Sequence, residues 1–143
     1  MPSPSTRTPP IYSTHDDTTT HNDRGMFIDT TATFDESTDE FIIDTPHAGA
    51  RKNWISFAAT HAKVAVVFAR LLTGKAGGEK KDEGVHAFLL DVRDDNGTVA
   101  PGVTISDMGQ KPCINGNDNA QLSFDHVRVP RGNLLDRCVW WCG

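Results

Sequence analysis

The feature that most constrains this chain is its punctuation. From Asp29 onward, short runs rich in β-branched and aromatic residues alternate with turn-forming clusters, and no stretch between them carries a clear helical repeat. Thr30-Thr31-Ala32-Thr33-Phe34 is followed by the turn-like Asp35-Glu36-Ser37-Thr38-Asp39, then by Glu40-Phe41-Ile42-Ile43-Asp44-Thr45, which Pro46 stops. The two runs read as a hairpin. Arg51 to Phe57 is a further apolar stretch. Ala62 to Leu72 fits strand or helix by periodicity, and its Val64, Val66, Val67 and Phe68 favour strand. Thr73 to Glu83 reads as a charged, glycine-rich loop, and Val85 to Val92 as a strand closed by Asp94-Asp95-Asn96-Gly97, a hairpin signal. Val103-Thr104-Ile105, Ala120 to Phe124 and Val127-Arg128-Val129 complete the series. Strands at close spacing without intervening helices predict an all-β domain, an antiparallel β-barrel or flattened β-sandwich, over about residues 28–130.

The N-terminal stretch differs in kind. Residues 1–24 are rich in Pro, Ser, Thr, Asp and His and poor in large apolar side chains. Such a segment buries too little surface to offset its ordering entropy, so it is expected to be disordered. Residues 138–143 are expected to form an unstructured tail. The 143 residues suit one domain, and 37% hydrophobic content can supply one core. A net charge of -5, with basic residues scattered among acids, argues against a nucleic-acid partner. Three cysteines, Cys113, Cys138 and Cys142, are a sparse, odd set that fits a reducing compartment rather than a disulfide framework. No apolar run approaches the roughly 20 residues of a membrane span. The N-terminus lacks the apolar core of a signal peptide, and the C-terminus is not a Ser-Lys-Leu type address.

Several motifs touch on chemistry without completing it. Gly74-Lys75 lies among glycines, but a phosphate-binding loop needs Ser or Thr after the lysine and a helix beyond; Ala76 follows instead. A solvated hairpin loop is the simpler account. Cys138 and Cys142 would need Cys113 and distant histidines to make four zinc ligands, so no metal site is expected. No HExxH pattern, Gly-x-Ser-x-Gly elbow or catalytic carboxylate pair stands out. The acids of residues 35–40 and 79–83 read as solvated loop charges.

The second half nevertheless carries a recognisable text. Gly116-Asn117-Asp118-Asn119-Ala120-Gln121-Leu122-Ser123-Phe124-Asp125-His126-Val127-Arg128-Val129-Pro130-Arg131-Gly132-Asn133-Leu134-Leu135 resembles the end of the middle β-domain of acyl-CoA oxidases. Its Phe-x-x-Val-x-Val-Pro-x-x-Asn-Leu-Leu pattern is shared with the acyl-CoA dehydrogenases, while Asp118-Asn119 and Arg131 lean toward the oxidases. Upstream, Thr30 to Asp35, Glu40 to Pro46, Gly84 to Leu89 and Pro101 to Ile105 are similar to the oxidase pattern in the same order. The resemblance covers about residues 25–137. It departs at Lys52-Asn53-Trp54-Ile55-Ser56, where Asn53 stands in place of an aromatic residue and Ser56 resembles the dehydrogenase threonine. Lys111-Pro112-Cys113-Ile114 likewise replaces the oxidases' usual Lys-Met-Gly-Leu.

The resemblance implies a fragment of a peroxisomal FAD-dependent acyl-CoA oxidase, which oxidises the Cα–Cβ bond of a fatty acyl-CoA and returns the electrons to oxygen as hydrogen peroxide. An acyl-CoA dehydrogenase fragment and a non-catalytic β-barrel remnant are the alternatives. The resemblance implies that Trp54 and Ser56 bind the cofactor, Trp54 as an aromatic plane beside the flavin and Ser56 as a hydroxyl toward flavin N5. It implies no catalytic residue within these 143 residues, because the family's catalytic glutamate and its Met-Thr-Glu segment belong to portions not found here. The family's members are often homodimers. Strand alternation is expected to put Trp54 and Ser56 on one face at a rim of the domain.

Overall fold

In the computed structural model of the chain, residues 28–74, 78–113 and 115–135 are described in full, and Ile11–Ser13 by their backbone. Among the described residues, nine strands form two sheets: β1 (Ile11–Ser13), β2 (Thr31–Asp35), β3 (Glu40–Asp44), β4 (Lys52–Ser56), β5 (Val64–Thr73), β6 (Lys81–Asp91), β7 (Val103–Asp107), β8 (Asn119–Phe124) and β9 (Val127–Pro130). Single 3-10 turns at Ala48–Ala50 and Arg131–Asn133 are the helical elements among the described residues. The fold is all-β, as the residue pattern requires.

The larger sheet is built on β5. The antiparallel partner β6 lies on one side, and the parallel partners β1 and β2 meet successive halves of β5 at Val64–Val66 and Arg70–Leu72. From β2 the sheet continues through antiparallel β3 to β9. The smaller sheet runs β4-β8-β7, all antiparallel. The sheets share one core: Phe41, Ile43, Val67, Leu71, Phe88 and Leu90 from the larger meet Ile55, Leu122 and Phe124 from the smaller. The Phe41 ring meets Phe34 at 5.2 Å and Phe88 at 5.0 Å between centroids, in tilted and edge-on geometries that aromatic pairs favour. Neither sheet closes, so the sandwich form describes the molecule and the closed barrel does not. The closest approach to closure is a bridge between Phe88 and Leu134 after β9, reinforced by Asn133 Nδ2 donating to the Leu89 carbonyl at 3.0 Å.

Three local expectations are corrected. The pairings β1/β5 and β2/β5 are parallel, because the long excursion between β2 and β5 returns the chain in the same direction. Within the stretch expected to be disordered, Ile11–Ser13 is a strand on the free half of the β5 edge; the rest of residues 1–24 lies outside the described residues, as does the 138–143 tail. Asn96-Gly97 does not join two long strands. Its turn closes a single bridge between Arg93 and Val99, and β6 and β7 then enter different sheets. Asp94 Oδ1 accepts from the backbone of Asn96 and Thr98, which fixes the turn.

The β6 strand also begins earlier than its apolar residues suggest, at Lys81 rather than Val85. One extra β6 residue opposite Arg70–Leu72 is taken up at Gly84, whose φ of 87° suits a β-bulge. Arg70 Nη1 bonds Asp82 Oδ2 across this irregularity at 2.6 Å. Gly74 opens the loop between β5 and β6, and a strand follows it rather than a helix, which rules out the phosphate-loop geometry; Lys75 lies outside the described residues.

Candidate functional site at the end of strand β4

The short strand β4 is irregular where its most reactive-looking side chains lie. Lys52 pairs with Leu122 and Ile55 with Ala120, so β4 carries one extra residue between them. The bulge residue Trp54 has φ 60°, in the left-handed region that a bulky side chain occupies only at a cost of about 1–3 kcal/mol. A bulge bends its strand and re-aims a side chain. Here Lys52 and Ile55 are both buried, and Trp54 is turned outward, 50% exposed. Ser56 lies at the strand end, half-buried. Trp54 and Ser56 therefore flank the inward Ile55 and both lie off the core.

Phe57 follows with φ 61° and is 41% exposed, extending the aromatic surface beyond Trp54. It starts the turn 57–62, whose backbone is tied from two directions. From the core side, the buried Arg93 donates Nη1 to the carbonyls of Ala58 at 2.8 Å and Ala62 at 2.9 Å, and Nη2 to that of Ala59 at 2.7 Å. From the outside, Asp118 Oδ2 accepts from the Thr60 backbone N–H at 2.9 Å and its hydroxyl at 2.8 Å. The Phe57 N–H donates to the Asp118 carbonyl at 2.8 Å.

The loop before β8 completes the site with asparagines at alternate positions. Asn115 bonds the Lys111 backbone through both amide atoms, at 2.8 and 2.7 Å. Lys111 Nζ donates to the Asn117 carbonyl at 2.8 Å. Asn117 Nδ2 donates to Ser56 Oγ at 3.1 Å, and Asn119 Nδ2 donates to the Trp54 carbonyl at 3.1 Å. Asn119 also pairs with Ser56 in the β4/β8 ladder. Two polar atoms near these residues, Asn53 Oδ1 and Asn117 Oδ1, are buried without a hydrogen-bond partner. Three surface grooves lie elsewhere, along β6 and β9, beside the 94–99 turn, and around Thr45.

The residue types here fit one side of a flat heteroaromatic group. Trp54 and Phe57 offer exposed aromatic surface, and Ser56 offers a hydroxyl whose oxygen already accepts a bond, leaving its proton available. The sequence points to Trp54 and Ser56. It gives no comparable sign of Phe57, Asn117 or Asn119, whose roles come from the bulge and the loop. The one available signal was the asparagine alternation in Asn115-Gly116-Asn117-Asp118-Asn119, which by itself reads as turn chemistry.

Other candidate chemistry is dispersed. Cys113 is an exposed free thiol, and Cys138 and Cys142 lie outside the described residues. Asp44, Asp125 and His126 gather within 4.8 Å of one another at an exposed turn. His126 Nδ1 approaches Asp125 at 2.7 Å and Asp44 at 3.5 Å, and the Asp125 hydrogen bond followed by the charge of Asp44 raises its pKa. Ion pairing accounts for this cluster. No helix among the described residues is long and apolar enough to cross a membrane.

Comparison with known proteins agrees with this architecture. Residues 19–127 match the family model described as acyl-CoA dehydrogenase, middle domain. Acyl-coenzyme A oxidase 2, peroxisomal, of Arabidopsis thaliana is 50% identical over 120 residues, which are 82% of this chain and 17% of that protein. The crystal structure of acyl-CoA oxidase 1 from Yarrowia lipolytica superposes with a TM-score of 0.74 at 39% identity, over 82% of this chain and 16% of that one. Acyl-CoA oxidase-1 of Caenorhabditis elegans, complexed with FAD and ATP, gives a TM-score of 0.77 at 34% identity, over 89% of this chain and 18% of that one. The chain thus spans less than a fifth of the length of each relative. By the extent of the matched region and the agreement of fold, this chain belongs to the acyl-CoA dehydrogenase middle-domain family, with acyl-CoA oxidases among its relatives.

Proposed function

We propose that this chain is the flavin-facing β-domain of a peroxisomal, FAD-dependent acyl-CoA oxidase acting on fatty acyl-CoA. The observation that carries the proposal is the outward pair at the end of β4: Trp54 exposed in a left-handed bulge, and Ser56 with its hydroxyl oxygen held by Asn117. The relatives' names support the oxidase reading, and an FAD-bound relative supports the cofactor.

FAD supplies the acceptor for the hydride that leaves the acyl chain. The residues of this chain bind and orient. Trp54 and Phe57 give an aromatic wall that excludes water from one side of the ring. Ser56 donates a hydroxyl proton toward an acceptor atom on the ring edge, where charge builds during reduction. Arg93 and Asp118 keep the 57–62 turn fixed, so these groups need little reorganisation when the cofactor binds. Abstraction of the α-proton needs a carboxylate within reach of the substrate, and the family places it in a helical bundle. We propose accordingly that these 143 residues alone hold FAD weakly or not at all and do not turn over acyl-CoA.

A chimaera tests the reading. The segment of the Arabidopsis relative matched by this chain is replaced with residues 25–137. The chimaera is expected to bind FAD and to form peroxide from a long-chain acyl-CoA, and its Trp54→Ala and Ser56→Ala forms are expected to lose FAD affinity. A folded chimaera that binds no FAD, or variants with unchanged affinity, would overturn the proposal.

A further inference from the structure

We propose that Asn117 is a positioning residue that makes the Ser56 hydroxyl an outward-facing donor for the flavin edge. The inference deepens the reading above and rests on Ser56 facing the flavin.

A serine hydroxyl carries one proton and two acceptor sites, and its proton rotates to whatever partner is available. At Ser56 one acceptor site is taken by Asn117 Nδ2 at 3.1 Å. The proton must then point elsewhere, and no acceptor among the described residues takes it. The neighbouring Ile55 is buried in the core, so the remaining direction is away from it. With one acceptor site filled from within the protein, the hydroxyl proton is turned toward an outside partner.

Asn117 can impose this choice because its own position is fixed from both sides. Its carbonyl is gripped by Lys111 Nζ, and Lys111 is in turn held by the Asn115 amide. The next residue, Asp118, accepts from the Phe57 N–H, and Asn119 binds the Trp54 carbonyl. The two residues that follow Asn117 are thus tied to residues on either side of Ser56. Supporting shells of this kind hold a donor within the narrow tolerance that a cofactor contact needs. Asn117 Oδ1, buried and without a partner, is the cost of this arrangement. With the amide reversed, Oδ1 would instead accept the Ser56 proton and remove it from any ligand. The two orientations predict opposite results.

The experiment uses the chimaera described above, isotope-labelled at serine, asparagine and tryptophan for nuclear magnetic resonance and titrated with FAD in excess. In the free protein, Ser56→Ala should move the Asn117 side-chain amide resonances. In the unaltered chimaera, FAD should shift the Ser56 amide and the Trp54 indole. Asn117→Asp replaces the amide donor with an acceptor and turns the Ser56 proton inward. It should weaken FAD binding about tenfold, the loss of one hydrogen bond, while retaining a dispersed, folded spectrum. Asn117→Leu, which carries no charge and frees the rotor, should lose less. In a Ser56→Ala background, Asn117→Asp should cost almost nothing further, which separates its action through Ser56 from simple repulsion of the FAD phosphates.

An equal loss in both backgrounds, or an unchanged affinity in Asn117→Asp, overturns the positioning role while leaving the flavin-facing reading intact. An unaltered chimaera whose Ser56 and Trp54 resonances ignore FAD overturns that reading, and this inference with it.

Discussion

Asp118 and Thr60 are 58 residues apart, yet one carboxylate oxygen of Asp118 accepts from both the backbone N–H and the hydroxyl of Thr60, at 2.9 and 2.8 Å. This is the outer fastening of the turn that follows the candidate site. Asp118→Ala should lower the unfolding free energy by about 1–2 kcal/mol, the scale of two partly exposed hydrogen bonds. Thr60→Val, which keeps the backbone bond, should cost about half as much. Chemical denaturation checks both. Equal costs would show that the hydroxyl bond alone matters.

Arg93 is the inner fastening. It is 8% exposed and feeds three carbonyls that belong to a turn without ladder partners. Arg93→Leu should destabilise by about 3 kcal/mol or more, because buried carbonyls are left unpaired. Arg93→Lys should recover only part of that, since an ammonium cannot span three acceptors with the guanidinium's planar geometry. Thermal unfolding of the two variants provides the comparison, and equal stabilities would contradict the account.

Gly102 is required by its backbone. Its φ is 78°, and a Cβ there would lie 2.6 Å from the Asp125 carbonyl oxygen, whose N–H donates back to the Gly102 carbonyl at 2.8 Å. Gly102→Ala should cost about 2–3 kcal/mol through combined strain and clash. Gly97→Ala, with a similar φ but open space around the position, should cost less. A ranking in the opposite order by denaturant midpoint would remove the close-approach argument.

The pH dependence has two limbs of opposite sign. Ser37 beside Asp35, and Arg70 beside Asp82, lower these carboxylates below their ordinary 3.8. The stability they contribute is present above that value and is lost as the pH falls through the lower folded value. His126 is raised above 6.5, chiefly by Asp125 and then by Asp44, so its contribution is present below 6.5 and is lost as the pH rises through the folded value. Asp82→Asn should flatten the acid limb of a melting-temperature profile, and His126→Gln the limb above 6.5. Asp82 and His126 are exposed and Asp35 is half-buried, so added salt should shrink both effects. A His126→Gln profile identical to the original would show that the cluster contributes nothing.

The sequence by itself determined the all-β class, the positions of most strands and the family. These follow from local chemistry: β-branched runs fix strands, and Asp, Gly and Pro clusters fix turns. β5 and the apolar part of β6 were legible as strands from their β-branched and apolar residues, while the face each turns to the core was not. Resemblance alone pointed to Trp54 and Ser56 as cofactor-binding residues. The tertiary structure alone decided the rest. Nothing local tells Asn96-Gly97 that its flanking strands belong to different sheets, or β2 that its partner β5 runs parallel. The outward aim of Trp54 depends on an extra residue counted against β8, which lies more than 60 positions away. The bond from Asn117 to Ser56 spans 61 residues. Such pairings exist only once the chain has closed its long loops around a common core, because their partners are chosen by sheet register and not by neighbouring residues.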